Sequence, residues 1–293
     1  IWQGHFIAEC NFIEEHIAAG DEIYLLECDA HLKSCDANPF RSLLTCATCI
    51  GSRQSAVNLL SQTIHKLPLI NSDQIRKFAG LKIPIFYTFD QLKNYRFNGI
   101  NVGKNILSSV VTAIGSPVFN TYKEKSLINN YIKDYLSVYY SALDNLKIHK
   151  FDLVYLFNGR FVAPRAWQRA CEVTRTDYIS HERMGMPDKV FKFKNSCIHK
   201  TLQYGPLIKS FWNKNSSNEE VRKEAIDFFE ERPQGKLKGW HSFVSGQDIN
   251  CMPINWDEHK RNIAFFASTE SEFVGLPEFF SGASFNDQKL TFL

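Results

Sequence analysis

The sequence predicts an α/β fold of the Rossmann-like kind, in which helices cover both faces of a parallel sheet. Segments with helical periodicity alternate with short apolar runs along the first 188 residues, and this alternation is typical of strands joined by helical crossovers. The run Leu153–Phe157 is apolar throughout, as expected of a strand buried on both faces. Because ligands bind at the carboxyl ends of the strands in such sheets, we expect the functional site there.

The order of the predicted elements follows from hydrophobic periodicity and from the glycines and prolines between them. Gly20 is expected to end the first helix in a left-handed conformation, and Pro84 favours an edge position for the strand around it. The predicted helices cover residues 6–17, 102–114, 123–146, 164–173 and 217–229, and the predicted strands cover 23–26, 83–87, 153–157, 177–180 and 263–267.

Three stretches of different pattern divide the chain. Residues 1–188 carry the alternating strands and helices of one Rossmann-like domain, and residues 189–260 are expected to form a helical and irregular connection. A new apolar run starts a second Rossmann-like domain within residues 261–293. An independent α/β domain needs on the order of 100 residues, so we expect this second domain to be incomplete.

Composition and charge narrow the classes of protein. The 293 residues are 44% hydrophobic and carry a formal charge of +3, which suits a buried core but is too little charge to indicate nucleic-acid binding. No apolar run approaches the roughly 20 residues that span a bilayer, and the first residues lack the features of a secretory signal. We therefore expect a cytoplasmic protein whose thiols are mostly reduced.

Two polar clusters stand where successive predicted strands end. A glycine turn, an arginine that holds a phosphate or carboxylate, and a carboxylate or imidazole base are parts that sugar transfer requires. The alternative is a set of ordinary surface ion pairs around a turn, because strand-end loops are polar in any α/β fold. The clusters are Asn158, Gly159 and Arg160 after the first strand, and His181, Glu182 and Arg183 after the second.

Four cysteines are predicted to share one connecting loop after the first strand. Four thiolates can hold a structural zinc ion, and the last two cysteines have the C-x-x-C spacing that zinc sites use. The wider spacing of the earlier members leaves unligated thiols or a disulfide as alternatives. The four residues are Cys28, Cys35, Cys46 and Cys49.

Lysines and aromatic residues alternate beyond residue 188. A segment of this kind can contact anionic headgroups or a phosphate-bearing lipid acceptor at a membrane surface, and the alternative is a solvated surface near a domain junction. The lysines are Lys189, Lys192, Lys194, Lys200, Lys209 and Lys214, and the aromatic residues are Phe191, Phe193, Tyr204 and Trp212.

Several common catalytic motifs are absent from the sequence. It contains no G-x-x-x-x-G-K-[ST] phosphate loop, no G-x-G-x-x-G, no H-E-x-x-H and no G-x-S-x-G. Familiar kinases, dehydrogenases, zinc proteases and α/β-hydrolases therefore lose support. The Asp-x-Asp triplet with which metal-dependent sugar transferases hold a nucleotide diphosphate is also missing, which favours a metal-independent mechanism.

Three stretches together resemble the bacterial glycosyltransferases of GT-B architecture that build capsule and O-antigen polysaccharides. They are the cysteine-containing segment 20–49, the turn 157–160 with the later Glu182, Arg183 and Gly185, and the segment 267–273. The resemblance implies two Rossmann-like domains that face each other across a cleft, with the acceptor on the amino-terminal domain and the nucleotide sugar on the carboxy-terminal one. Residues 1–188 then form the acceptor side.

The resemblance also implies roles for individual residues. Glu182 or His181 is the expected catalytic base, and Asp29 is the alternative. The residues expected to line the cleft are Asn158, Gly159, Arg160 and Arg183 on the acceptor side, and Ser268, Thr269 and Glu270 on the far wall.

The function expected from these features is transfer of a sugar from a nucleotide-sugar donor to a growing surface polysaccharide, at the inner face of the membrane. The acceptor is a glycan or a lipid-linked glycan, no nucleic acid takes part, and the protein makes a peripheral membrane contact. No cofactor is required, although the cysteines allow a structural zinc. The alternatives are a non-catalytic zinc-binding scaffold of polysaccharide assembly and a GT-B-like nucleotide-sugar epimerase.

Overall fold

The structure is a computed structural model that describes residues 3–183, 189–200, 203–231, 234, 252 and 256–262. The described chain is of mixed α/β type with parallel strand pairing. It divides into two compact units, of which the first takes in residues 3–182 and Val190–His199 and the second takes in residues 203–231 and 256–262. None of the described helices is both long enough and apolar enough to cross a bilayer.

The first unit contains a two-stranded and a three-stranded sheet. Strand β1 pairs with β2 in parallel, with Tyr24 opposite His65, and β3 pairs with β4 in parallel, with Leu153 opposite Asp177. The order of the second sheet is β3, β4, β5, so that β4 lies in its centre. The strands are β1 Tyr24–Glu27, β2 His65–Pro68, β3 Leu153–Phe157, β4 Asp177–Arg183 and β5 Val190–Lys194.

Both units contain helices. Those of the first unit are α1 Gln3–Ala19, α2 Leu43–Val57, α3 Ser72–Ala79, α4 Phe89–Lys93, α5 Val102–Ile114, α6 Lys125–His149 and α7 Val162–Thr174. Those of the second unit are α8 Tyr204–Asn215 and α9 Glu219–Glu231.

Helix α6 forms the centre of the hydrophobic core. Its residues Ile128, Tyr131, Tyr135, Val138 and Ala142 are completely buried, and their spacing of three and four residues places them on one face of the helix. The helix packs against α3, α5 and α7. The apolar periodicity of this segment therefore predicted its burial correctly.

Several predicted elements are confirmed with small shifts in their ends. The helices at the predicted positions are α1, α5, α6, α7 and α9, and the strands are β1, β3 and β4. Gly20 has the left-handed conformation expected of a helix end, with φ +83°. Strand β4 continues through Arg183, so the second polar cluster lies within the strand and not in a loop after it. The predicted strand 263–267 lies outside the described residues.

Other predictions were wrong. Residues 82–86 are irregular instead of forming a strand, and Pro84 lacks the N–H that a sheet ladder needs. The cysteine-containing segment is not one loop, because Cys46 and Cys49 lie on α2. Strand β5 also extends the β3–β4 sheet beyond residue 188.

Asn218 supplies the start of α9. Its Oδ1 accepts the N–H groups of Glu220 at 3.0 Å and Val221 at 3.3 Å, which have no partner within the helix. The spacing of Ser217 and Glu220 in the sequence is that of a capping box, which predicts this role for Ser217. Asparagine is as good a helix cap as serine, so the element was predicted correctly but its cap was displaced by one residue.

Candidate functional site

Glu182 lies near the carboxyl end of β4 between two histidines. Its Oε1 is 3.6 Å from Nε2 of His5 on α1, and its Oε2 is 3.8 Å from Nε2 of His199, which follows β5. The Glu182 side chain is 26% exposed. The carboxylate therefore lies beside two imidazoles and is still reachable from solvent.

The two histidines are themselves held in place. The ring of His5 packs on Phe157, the last residue of β3, with ring centroids 4.4 Å apart. Burial, together with the positive charge of Arg160, lowers the pKa of His199 to about 4. His199 is therefore neutral at physiological pH and contacts Glu182 as an uncharged imidazole.

His181 lies in a different environment from Glu182, although it is the neighbouring residue. Its side chain is 0% exposed, and its Nε2 is 3.2 Å from Oε1 of Glu9 on α1. The edge of its ring contacts Phe12, and Nδ1 has no hydrogen-bond partner among the described residues. Of the two predicted bases, Glu182 is therefore the one that a substrate can reach.

The turn after β3 fixes the position of Arg160. The Asn158 N–H donates to the His181 carbonyl at 2.9 Å, and Asn158 Oδ1 accepts the Arg160 N–H at 2.9 Å. Gly159 has φ +71°, and a Cβ there would lie 2.6 Å from Oε1 of Gln168. Asn158 is buried, so it shapes the turn from within and leaves Arg160 as the polar side chain at its surface.

Arg160 is close to His199, which contacts Glu182, and also to the carboxylate of Asp36, which the sequence analysis did not identify. The Arg160 guanidinium lies 4.5 Å from the ring centroid of Phe161, and its charge acts on both His199 and Asp36. Glu182, His5, His199, Arg160 and Asp36 together are named the strand-end cluster here. The predicted residues Glu182 and Arg160 thus lie in one neighbourhood.

Asp36 lies in the segment between β1 and α2, and its carboxyl group is buried near the first residue of α7. It accepts hydrogen bonds from the Ser109 hydroxyl and the Val162 N–H, and burial nevertheless raises its pKa to about 6. A carboxylate with a pKa close to neutrality is typical of functional sites. No signal in the sequence marks Asp36, because it stands in an irregular polar segment and its partners are about 70 and 130 residues away.

A second buried acid, Asp134 on α6, holds the same segment. Its Oδ2 accepts the Ser34 N–H at 2.7 Å. Burial raises the pKa of Asp134 to about 7, although the N–H groups of Ser34 and Lys33 and nearby positive charges oppose the rise. The segment between β1 and α2 is therefore anchored by two carboxylates, one of its own and one from α6.

We expect Asp134 to contribute a loss of stability as the pH rises from about 4 to about 7. The pKa of Asp134 is about 7 in the folded chain and about 3.9 in an unfolded one, so between these values the folded state keeps a proton that the unfolded state has released. Such a difference lowers the free energy of unfolding with increasing pH. Asp134→Asn, which cannot ionise, should flatten this dependence, as measured by urea unfolding across that range.

The exposed Asp152→Asn is the matched control for this measurement. It should leave the slope of stability against pH unchanged. Parallel curves for wild type and Asp134→Asn would show that Asp134 titrates alike in both states, contrary to this expectation.

Asp29, the alternative base, lies in a separate arrangement at the end of β1. Its Oδ1 is 3.7 Å from Nη2 of Arg53 on α2, and Arg53 also donates to the Cys28 carbonyl at 2.8 Å and lies 3.4 Å from Glu27. The contacts described for Asp29 do not include Glu182. Asp29 is therefore better explained as a partner of the buried Arg53.

The four cysteines of the predicted zinc site share one neighbourhood. Burial raises the pKa of Cys28, and nearby Cys46 and Cys49 raise it further. Burial also raises the pKa of Cys35 to about 12, with additional effects of Asp36 and Cys28. Within the described ranges, no three histidine, cysteine or acidic side chains are arranged to hold a metal ion, and the zinc site stays a prediction.

A cavity of about 280 Å³ lies between β1 and β3. Its lining includes Phe12, Tyr24, Tyr155 and Trp167 but neither Glu182 nor Arg160. The volume is at the lower limit for small-molecule pockets. The cavity is therefore a feature apart from the strand-end cluster and does not supply its base.

The other predicted cleft residues lie at the end of β4 or outside the described residues. Arg183 is the last residue of β4, whereas Ser268, Thr269 and Glu270 lie outside the described residues. No protein-family model, curated protein or solved structure matches this chain. Function therefore has to be inferred from the chemistry of the strand-end cluster.

Proposed function

We propose that the chain is the acceptor-side part of a metal-independent glycosyltransferase, which moves a sugar from a nucleotide-sugar donor to a growing polysaccharide. The observation that carries this proposal is the reachable carboxylate of Glu182, held 3.6 and 3.8 Å from two imidazoles. Sugar transfer to a hydroxyl requires a group that accepts the hydroxyl proton, and a positioned carboxylate is a common general base.

His5 and His199 support this role of Glu182. The Nε2 atoms of the two rings lie 3.6 and 3.8 Å from the carboxylate oxygens, and neighbours that limit the conformations of a base lower the entropy cost of reaching the reactive geometry. Because His199 is neutral at physiological pH, it does not add a positive charge that would make the Glu182 carboxylate a weaker base.

Arg160 supplies the positive charge that transfer from a nucleotide sugar needs. The leaving nucleotide carries phosphate, and arginine is suited to phosphate because its planar guanidinium donates two parallel hydrogen bonds. The turn of Asn158 and Gly159 sets the position of Arg160 from the backbone. Preorganised charge of this kind stabilises a transition state without reorganisation during the reaction.

A thermal-shift titration against UDP, GDP and CMP sugars tests the proposal. A ligand that binds only the folded state raises its stability by about 2.7 kcal/mol at 100 times its Kd, so one nucleotide class should raise the melting temperature and the other two should not. Arg160→Ala should reduce the shift. If no nucleotide sugar stabilises either this chain or one extended through a complete second domain, and neither consumes a nucleotide sugar with any glycan acceptor, the proposal is wrong.

A zinc-binding scaffold is the second candidate, favoured by the shared neighbourhood of the four cysteines. Zinc requires deprotonated thiols and releases their protons when it binds. If the reduced chain holds one zinc ion, and if Glu182→Gln loses neither structure nor activity, the scaffold is supported over the enzyme.

A further inference from the structure

Helix α8 of the second unit carries an apolar stripe, and Leu207, Ile208, Phe211 and Trp212 of this stripe are exposed among the residues that the structure describes. Tyr204, Leu207, Ile208, Phe211 and Trp212 follow the spacing of three and four residues that places them on one face. Ile208, Phe211 and Trp212 are 67%, 59% and 61% exposed. A helix of 12 residues with no buried side chain gains little stability by itself in water, so its stripe is suited to a partner.

The charges of α8 indicate what kind of partner its apolar stripe binds. The helix contains Lys209 and Lys214 and no acidic residue. In helical projection these two lysines border the apolar stripe on either side, an arrangement in which the ammonium groups reach the headgroups while the stem of each side chain covers apolar surface. Trp and Phe on one face with Lys at its edges are typical of helices that lie in a membrane interface.

Helix α9 provides a contrast within the same unit. It also has no buried residue, and its Ile226 and Phe229 are exposed. However, α9 carries six acidic and two basic side chains, which an anionic surface repels. Exposed apolar residues alone therefore do not distinguish the two helices, whereas charge does.

We propose that α8 is a membrane-binding helix that inserts its Leu207–Trp212 stripe into the interface of a bilayer containing anionic lipids. The helix lies parallel to the membrane surface, with Lys209 and Lys214 on the headgroups. This inference stands independently of the proposed transferase activity, since it depends only on the described residues of α8.

Vesicle co-sedimentation of the full chain tests the proposal. Vesicles of phosphatidylcholine mixed with phosphatidylglycerol should bind the chain more tightly than phosphatidylcholine alone, by about fivefold for each of the two lysines, and added salt should reduce the difference. Phe211→Ser combined with Trp212→Ser should weaken binding by about tenfold or more for each lost side chain. Because both residues are exposed, the circular dichroism spectrum should be unchanged.

Ile226→Ser combined with Phe229→Ser on α9 is the matched control and should bind as the wild type does. Equal loss of binding in both double variants, or no binding of the wild type to anionic vesicles, would overturn the proposal. So would light scattering that shows a wild-type dimer dissociated by the α8 variant without any vesicle binding, because the stripe would then join two copies of the chain.

Discussion

Glu182→Gln is expected to lower the rate of sugar transfer by about 10² to 10⁴-fold, which is the usual contribution of a general base. Glutamine has the shape of glutamate but cannot accept the proton of the attacking hydroxyl. Because the two side chains have nearly the same size, glutamine should occupy the same place beside His5 and His199. Acceptor binding should therefore change little. The effect should therefore appear in kcat, measured with the donor class identified by thermal shift, and not in KM for the acceptor.

Glu22→Gln is the matched control for this variant. Glu22 is exposed, precedes β1, and accepts a hydrogen bond from the Tyr24 hydroxyl at 2.7 Å. Its replacement should leave the rate unchanged. If Glu22→Gln and Glu182→Gln transfer sugar equally fast, Glu182 is not the base.

Gly103→Ala is expected to destabilise the chain by about 3 kcal/mol or more, at the upper end of the effects of overpacking. Gly103 is the second residue of α5, and a Cβ there would lie 1.8 Å from the Leu92 carbonyl oxygen and 2.9 Å from that of Lys93. Both are backbone atoms of α4, and the Gly103 N–H also donates to the Tyr95 carbonyl at 3.0 Å. The clash can be relieved only by separating α4 from α5.

Gly51→Ala should have the opposite effect. Gly51 lies within α2, is exposed, and would have no atom within 4 Å of an added Cβ. Alanine is favoured over glycine in a helix by about 1 kcal/mol, so this variant should be more stable than the wild type. Urea unfolding measures both changes, and equal midpoints for the two variants would contradict the close approach of α4 and α5.

Local patterns predicted those parts of the fold in which the sequence itself carries the information. The apolar run of β3 and the periodicity of α6 both specify burial, and both elements are present. Strand β2, in contrast, consists of His65, Lys66, Leu67 and Pro68 and is mostly exposed. Nothing in such a segment indicates a strand, because its pairing with β1 depends on tertiary context.

The candidate site shows the same division. Glu182 and Arg160 were predictable because polar residues stand at or directly after the carboxyl ends of recognisable strands. His5 and Asp36 were not, because each reaches the cluster from an element far away in the sequence. His199 was not, because it follows β5, a strand that the sequence pattern did not predict. The glycosyltransferase assignment stays a prediction that the proposed experiments test.

The position of α1 has a kinetic consequence. Helices α5, α6 and α7 follow one another along the chain and pack together, and contacts between such neighbours form early in folding. Helix α1, by contrast, reaches β3 and β4 through His16 with Tyr155 and Glu9 with His181, pairs that are 139 and 172 residues apart. Closing loops of that length is slow, so α1 is expected to dock late and to detach first.

His5 is part of α1, and transient opening of this helix would remove one of the two imidazoles beside Glu182. The chain can therefore lose the geometry of the strand-end cluster while its helical centre remains folded.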